Sequence, residues 1–263
     1  MAELVQLLLL GAFSGFIAGL LGVGGGLIIV PALLYLLSGD IVQASLMHTA
    51  IGTALAAIVF TSLSSVWAHH QHGAIHWQTF KKLTPTILLG AFSGAFLAKN
   101  LSFDFLRIFF AIFEITVALI MWFGISASSH IDQLNKSIWL IAGYIIGLVS
   151  AIVGIGGGTM TTPFLVYNQV SIKNAIATSA AVGMPIAIAG SIGFVLAGSD
   201  VQSATGGLGF VHIDALLSIA IASVLFAPLG AKVTHSVDGK KLKKFFAVFL
   251  GLLCFLGIAF ESN

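Results

Sequence analysis

Two glycine clusters mark places where backbone rather than side chains could do chemistry. Gly22-Val23-Gly24-Gly25-Gly26 and Gly154-Ile155-Gly156-Gly157-Gly158 each introduce a short apolar segment, and a proline follows five residues after each last glycine, Pro31 and Pro163. Lacking a Cβ, glycine allows positive φ and close backbone approach. A helix that starts after such a break presents N–H groups with no intrahelical partner and a partial positive charge. Two such ends facing one cavity could hold an anion without an arginine. Gly24, Gly25, Gly26, Gly156, Gly157, Gly158 and the adjoining Thr159 are therefore candidate anion-binding residues. Scattered glycines such as Gly11, Gly15, Gly143 and Gly147 read instead as contacts for close helix packing.

Two further groups are chemically conspicuous. Glu114 sits mid-segment in Phe113-Glu114-Ile115-Thr116, surrounded by apolar sequence. An ionisable group at such depth is costly and should face inward, either as a proton-coupling site or in a hydrogen bond to a neighbouring helix. His69, His70, His72 and His76 lie close together beside Lys81 and Lys82. Their spacing is compatible with a metal, but a solvated membrane edge explains them as well.

The elements that must position these residues are membrane spans. Of 263 residues, 58% are hydrophobic and only 8% are charged; the mean hydropathy is +1.09. Soluble domains carry about 25% charged residues, so this chain cannot cover a water-soluble surface. A net charge of +2 is too small to imply a nucleic-acid partner, and none is expected. The single cysteine, Cys254, excludes an internal disulfide and reads as a small buried hydrophobe. Met1-Ala2-Glu3 lacks the basic stretch of a cleaved leader, so the first apolar segment is expected to be retained. Trp67, Trp77, Trp122 and Trp139 fall near segment ends, where interfacial anchoring is expected.

Apolar runs at 44–68, 105–125 and 174–197 are long enough to cross a bilayer, whereas 27–37 and 159–170 are not. The chain also repeats itself. The second glycine cluster follows the first by 132 residues, and Gly73-Ala74-Ile75-His76 returns 136 residues later as Gly209-Phe210-Val211-His212. Internal duplication with broken helices is a common plan of secondary transporters. If each cluster tips a re-entrant hairpin, the halves are inverted. Lys81, Lys82, Lys136, Lys173, Lys232, Lys240, Lys241, Lys243 and Lys244 then share one side, with Lys99 and Arg107 on the other. If each cluster is a kink in one span, the split is eight to three. Positive charge gathers on the cytoplasmic face, so the hairpin arrangement is preferred, with both termini outside the cytoplasm. Lys240-Lys241 and Lys243-Lys244 are expected to hold that orientation against anionic lipid.

The doubled stretch Gly19-Leu20-Leu21-Gly22-Val23-Gly24-Gly25-Gly26…Pro31 and Ser150-Ala151-Ile152-Val153-Gly154-Ile155-Gly156-Gly157-Gly158…Pro163 resembles the signature of the TauE/SafE family of sulfite exporter-like permeases. Ala175-Ile176-Ala177-Thr178-Ser179 resembles that family's Ala-x-x-Thr-Ser stretch. The likeness covers essentially the whole chain. It implies transport of small sulfur-containing anions such as sulfite, sulfoacetate, other organosulfonates or thiosulfate, coupled to an ion gradient. Nothing in the composition itself points to sulfur. The first half departs from the pattern: the stretch matching Thr178-Ser179 reads Met47-His48, with Thr49 next. Thr178 and Ser179 either donate to an oxyanion or bond back to their own helix. His48 either meets the anion or a coupled proton, or packs against a backbone carbonyl.

The resulting expectation is an all-α membrane protein of two inverted repeats, residues 1–127 and 137–263, joined by a cytoplasmic linker at 128–136. Each repeat has about five segments and starts with a Gly-rich re-entrant helical hairpin. A proton-coupled secondary transporter in the cytoplasmic (inner) membrane follows. Its anion would sit among the two glycine clusters, His48, Thr49, Thr178 and Ser179, with His48 and Glu114 as proton-coupling candidates. No cofactor, metal or enzymatic activity is expected. The alternatives are a passive anion channel and an intramembrane metalloenzyme using the histidines and Glu114.

Overall fold

The computed structural model describes residues 2–123, 135–199, 207–242, 244–245 and 248–249. Most of the expected linker, Lys243, most of the last apolar run and Cys254 lie outside the described residues. The described chain is helical: α1 (Ala2–Leu21), α2 (Gly26–Leu36), α3 (Gln43–Gln71), α4 (Trp77–Lys99), α5 (Phe103–Phe123), α6 (Lys136–Val153), α7 (Gly158–Tyr167), α8 (Ile172–Ala197) and α9 (Ile213–Ser236). Among the described residues the only sheet-like feature is an isolated bridge between Leu208 and Val211. Helices answer the need to satisfy every backbone group within lipid. Five of them, α1, α3, α6, α8 and α9, are long and apolar enough to cross a membrane.

Burial separates inner from outer helices. The middles of α3 and α8 are almost wholly buried, while Leu9, Phe13, Leu89, Ile141, Ile221 and Leu225 expose large apolar side chains on the surrounding helices. Such a surface suits lipid and not water. Trp67, Trp77 and Trp122 are exposed, as expected of anchors. Trp139 is buried instead; its ring lies under the Lys82 ammonium at 5.1 Å and edge-on to Phe164.

Glycines set the close helix contacts. Gly11, Gly15 and Gly19 of α1 lie against Ile219, Ser223 and Ala227 of α9. Gly143 and Gly147 of α6 lie against Leu83 and Ile87 of α4 in the same manner. Residue numbers rise together in both pairs, so each pair is parallel. The pair α3 and α9 is parallel too, because Thr53 bonds to His212, Thr61 to Ser223 and His69 to His235. The central pair α3 and α8 runs the other way: Gly52 lies against Phe194, Gly190 against Leu55, and Thr178 bonds to His76, just beyond the end of α3.

The short helices follow the glycine clusters. Gly25, with φ 89°, is the N-cap of α2, and Gly154, with φ 80°, is the C-cap of α6. Both left-handed values are comfortable only without a Cβ. Gly24 lies against Ile58 of α3, whereas Val30, further along α2, lies near Ile51. Thus α2 runs opposite to α3. Likewise Gly157 lies against Val182 and Ile186, and Thr162 bonds to Ser179, so α7 runs opposite to α8.

Candidate functional site

The two glycine clusters meet. Gly24 faces Gly156 Cα to Cα, Gly26 lies against the carbonyl of Gly154, and Gly158 lies against the carbonyl of Gly22. Ile58, near the middle of α3, touches both Gly24 and Gly156. The first N–H groups of α2, on Gly26 and Leu27, have no intrahelical acceptor; the next two, on Ile28 and Ile29, reach the Gly25 carbonyl at 3.0 Å. In the second cluster Gly158 N–H donates to the Gly156 carbonyl and Thr161 N–H to that of Gly157. The clusters share a sequence pattern but not a backbone path. Positive φ occurs at Gly22, Gly24 and Gly25 in the first, and in the second only at Gly154.

A narrow crevice opens beside this crossing, with about 160 Å³ of empty space bounded by Ala18, Gly24, Thr61, Ser62, Ser65 and Ala180. At its present width it does not seat a water-sized sphere. Thr61, Ser62 and Ser65 project from one face of α3, as residues three and four apart must. The Thr61 hydroxyl donates to the Ala57 carbonyl at 3.1 Å and pairs with the Ser223 hydroxyl at 2.6 Å. Ser62 donates to the Val59 carbonyl at 3.1 Å. The Ser65 hydroxyl is buried and has no hydrogen-bond partner among the described residues. An unpaired buried hydroxyl is costly; Ser150, Thr159 and Thr161 share that state elsewhere among the described residues. This wall was legible in part: four hydroxyl residues crowd into Thr61-Ser62-Leu63-Ser64-Ser65, a density the reading by glycines and charges passes over.

The other expected site residues are distributed differently. His48 Nε2 donates to the Ala98 carbonyl at 3.0 Å, and its ring stacks on Phe210 at 5.1 Å. It lies about 15 Å along α3 from Ile58, at 1.5 Å per residue, and Thr49 is its neighbour. Thr178 accepts the His76 N–H at 2.9 Å, and Ser179 accepts the Thr162 hydroxyl at 2.9 Å. Thr159 and Thr161 are buried on α7, their hydroxyls without a partner among the described residues. Glu114 is 3% exposed and its Oε1 has no partner among the described residues.

The hydrogen bonds also reset the internal alignment. His76 N–H to Thr178 has a counterpart in His212 N–H to Thr53, also 2.9 Å. Thr53, not Met47, therefore occupies the place of Thr178, and both halves keep the hydroxyl. The first half carries extra residues between α2 and this point, which displaces the register read from sequence. On the corrected alignment, Thr61, Ser62 and Ser65 correspond to Ile186, Ala187 and Gly190. That second face is apolar, and Leu55 fills the space at Gly190.

The histidines do not converge on one point. His69 bonds to His235, His72 stacks on His235 at 4.2 Å, His70 meets Trp77 edge-on, and His76 pairs with Asn174. Among the described residues no group of three or more His, Cys, Asp or Glu is placed to hold a metal ion.

Residues 7–257 match the family model described as sulfite exporter TauE/SafE. The chain belongs to the TauE/SafE family. It is 38% identical over 246 residues to a probable membrane transporter protein of Haemophilus influenzae, covering 92% of this chain and 93% of that one. It is also 26% identical to a probable membrane transporter protein of Methanocaldococcus jannaschii (94% and 92% covered) and 28% identical to one of Bacillus subtilis (90% and 91% covered). No solved structure matches the chain. Family and fold agree on a multi-pass membrane transporter: this TauE/SafE member presents apolar helices to lipid and a narrow crevice within, lined by Ala18, Gly24, Thr61, Ser62, Ser65 and Ala180.

Proposed function

We propose that this TauE/SafE protein is a secondary transporter that moves a small sulfur-containing anion across the cytoplasmic membrane by alternating access, coupled to protons. Sulfite, sulfoacetate, other organosulfonates and thiosulfate are the substrate class. The observation that carries this reading is the meeting of the two glycine clusters against Ile58, beside a crevice walled by hydroxyls. There the anion is held by the N–H groups at Gly24–Gly26, by Gly156–Gly158 and Thr159 as the first repeat's partner, and by the hydroxyls of Thr61, Ser62 and Ser65. Of the residues first expected around it, His48, Thr49, Thr178 and Ser179 serve to brace the helices that form the site.

The architecture supporting this is two inverted repeats, 1–127 and 137–263. Helices α1, α3 and α9 run one way and α4, α6 and α8 the other, so each element of the first half opposes its counterpart in the second. Because α1 parallels α3 while α2 opposes it, α1 and α2 form a helical hairpin tipped by Gly22–Gly26; α6 and α7 form its counterpart. The ends near His69, Lys82, Lys136 and Lys173 then share one face, the cytoplasmic one by their positive charge, and the N-terminus lies opposite. The hydroxyl crevice lies towards that lysine-rich face, while its apolar counterpart is plugged by Leu55. Two like sequences in unlike conformations are what one state of an alternating cycle requires.

Proteoliposome flux tests this directly. Sulfite, thiosulfate, sulfoacetate, sulfate and acetate are each offered with and without a pH gradient. Saturable, gradient-driven accumulation of a sulfur oxyanion or sulfonate, lost in Gly157→Leu protein that still folds, is expected. Absence of flux for the whole panel in both electrogenic and electroneutral assays overturns the reading.

A further inference from the structure

His69 lies one helical turn beyond Ser65 on the same face of α3, above the crevice, and is fully buried. Both its ring nitrogens are engaged. Nε2 is 3.0 Å from the Gly19 carbonyl, which can only accept, so Nε2 carries a proton. In the neutral ring Nδ1 is then an acceptor, and it takes the Nε2–H of His235 at 2.9 Å. The two imidazoles thus form a hydrogen-bonded dimer spanning α3 and α9. Its other end is tied to the last turn of α1, where Thr234 also donates to the Leu20 carbonyl at 2.6 Å.

We propose that the His69–His235 pair is the proton-coupling site, taking up one proton together with the anion in the Thr61–Ser62–Ser65 crevice. This rests on the transport reading above and assigns its coupling. One added proton is accommodated without breaking the dimer: His69 becomes doubly protonated, its Nδ1–H donates to His235 Nε2, and His235 keeps a single hydrogen on Nδ1. The surroundings do not favour this charge on their own. His72 stacks on His235, and Lys173 Nζ donates to the His235 carbonyl at 2.9 Å. Lys232 lies one turn back on α9. Of the other groups at this end, His70 faces Trp77, His76 faces Asn174, Lys82 lies over Trp139, and the Asp238 carboxylate accepts the backbone N–H groups of Lys240 and Lys241. Among the described residues no carboxylate hydrogen-bonds either ring. The missing counter-charge is the anion itself, one turn away. Proton and anion therefore stabilise each other, and by linkage each raises the other's affinity to the same extent.

The test separates coupling from transport. His69→Gln keeps a donor for Gly19 and an acceptor for His235 but cannot titrate. In proteoliposomes it should retain sulfite–sulfite exchange at equal pH within about threefold, while the accumulation driven by a tenfold proton gradient falls to the level without a gradient. His235→Gln should behave alike, which guards against one variant failing to fold. In the purified wild-type protein in weakly buffered detergent, sulfite binding should draw one proton from solution per protein, and no more than a small fraction of that in either variant. Full gradient-driven accumulation in a folded variant, or unchanged proton uptake on binding, overturns the proposal while leaving the transport reading intact. If wild-type protein neither exchanges nor accumulates any anion of the panel, both fall.

Discussion

A methyl group placed on Gly24 would lie 2.9 Å from the Cα of Gly156, and one on Gly156 would lie 3.1 Å from the Cα of Gly24. The two glycine clusters touch here through bare backbone, with the Ile58 side chain 3.0 Å from either methyl.

Gly24→Ala and Gly156→Ala should both lower thermal stability in detergent. Overpacking costs about 1–3 kcal/mol. Gly24, with φ 79°, adds the left-handed penalty of about 1–2 kcal/mol for a residue with a Cβ. Gly24→Ala should therefore melt below Gly156→Ala. Equal melting of both variants and wild type would mean the clusters do not meet.

Helix pairing offers a second prediction. Gly15→Val drives a side chain into the Ser223 backbone, and Gly147→Val drives one into Ile87. Each should abolish monodisperse folded protein, since the two interfaces are counterparts. Gly39→Ala, with nothing within 4 Å, should be silent in the same size-exclusion assay.

Thr53→Val and Thr178→Val each strand one backbone N–H, of His212 and of His76. A buried donor left unpaired costs about 1–3 kcal/mol. Comparable losses of melting temperature are expected from both, and the double variant should be close to additive. A selective loss of anion affinity in Thr178→Val at unchanged stability would return that residue to the binding site.

Ser65→Ala removes a buried hydroxyl that has no partner, so stability should hold or rise. The affinity for the transported anion should fall by about tenfold, the worth of one hydrogen bond to a charged group. Ser65→Leu should fill the crevice and stop transport. Unchanged KM and maximal rate in folded Ser65→Leu protein would remove the crevice from the substrate path.

Much of this was legible in sequence because lipid imposes strong rules. The lack of charge forces helices, and the clusters at Gly22–Gly26 and Gly154–Gly158 announce where helices break. Packing at Gly11, Gly15, Gly143 and Gly147 follows from their size alone. What escaped depends on register and on side-chain direction. Matching Met47 to Thr178 misses the extra residues between α2 and Thr53, which only the reciprocal bonds of Thr53 and Thr178 reveal. Ser65 carries no charge and no motif, and its unpaired state appears only once Ala18, Gly24 and Ala180 close around it. His69 read as one of four edge histidines, because its partner His235 lies 166 residues away.

The pairing of α1 with α9 has a consequence for how the protein is made. Gly11 and Ile219 are contacts, yet the ribosome emits them about 200 residues apart, a delay of roughly 10–40 s at ordinary synthesis rates. Throughout that interval the glycine face of the first helix has only lipid, or an insertion factor, for company. A segment made about 200 residues ahead of its partner thus waits long to find its seat. Biogenesis of this molecule must include a waiting step that its finished structure no longer displays.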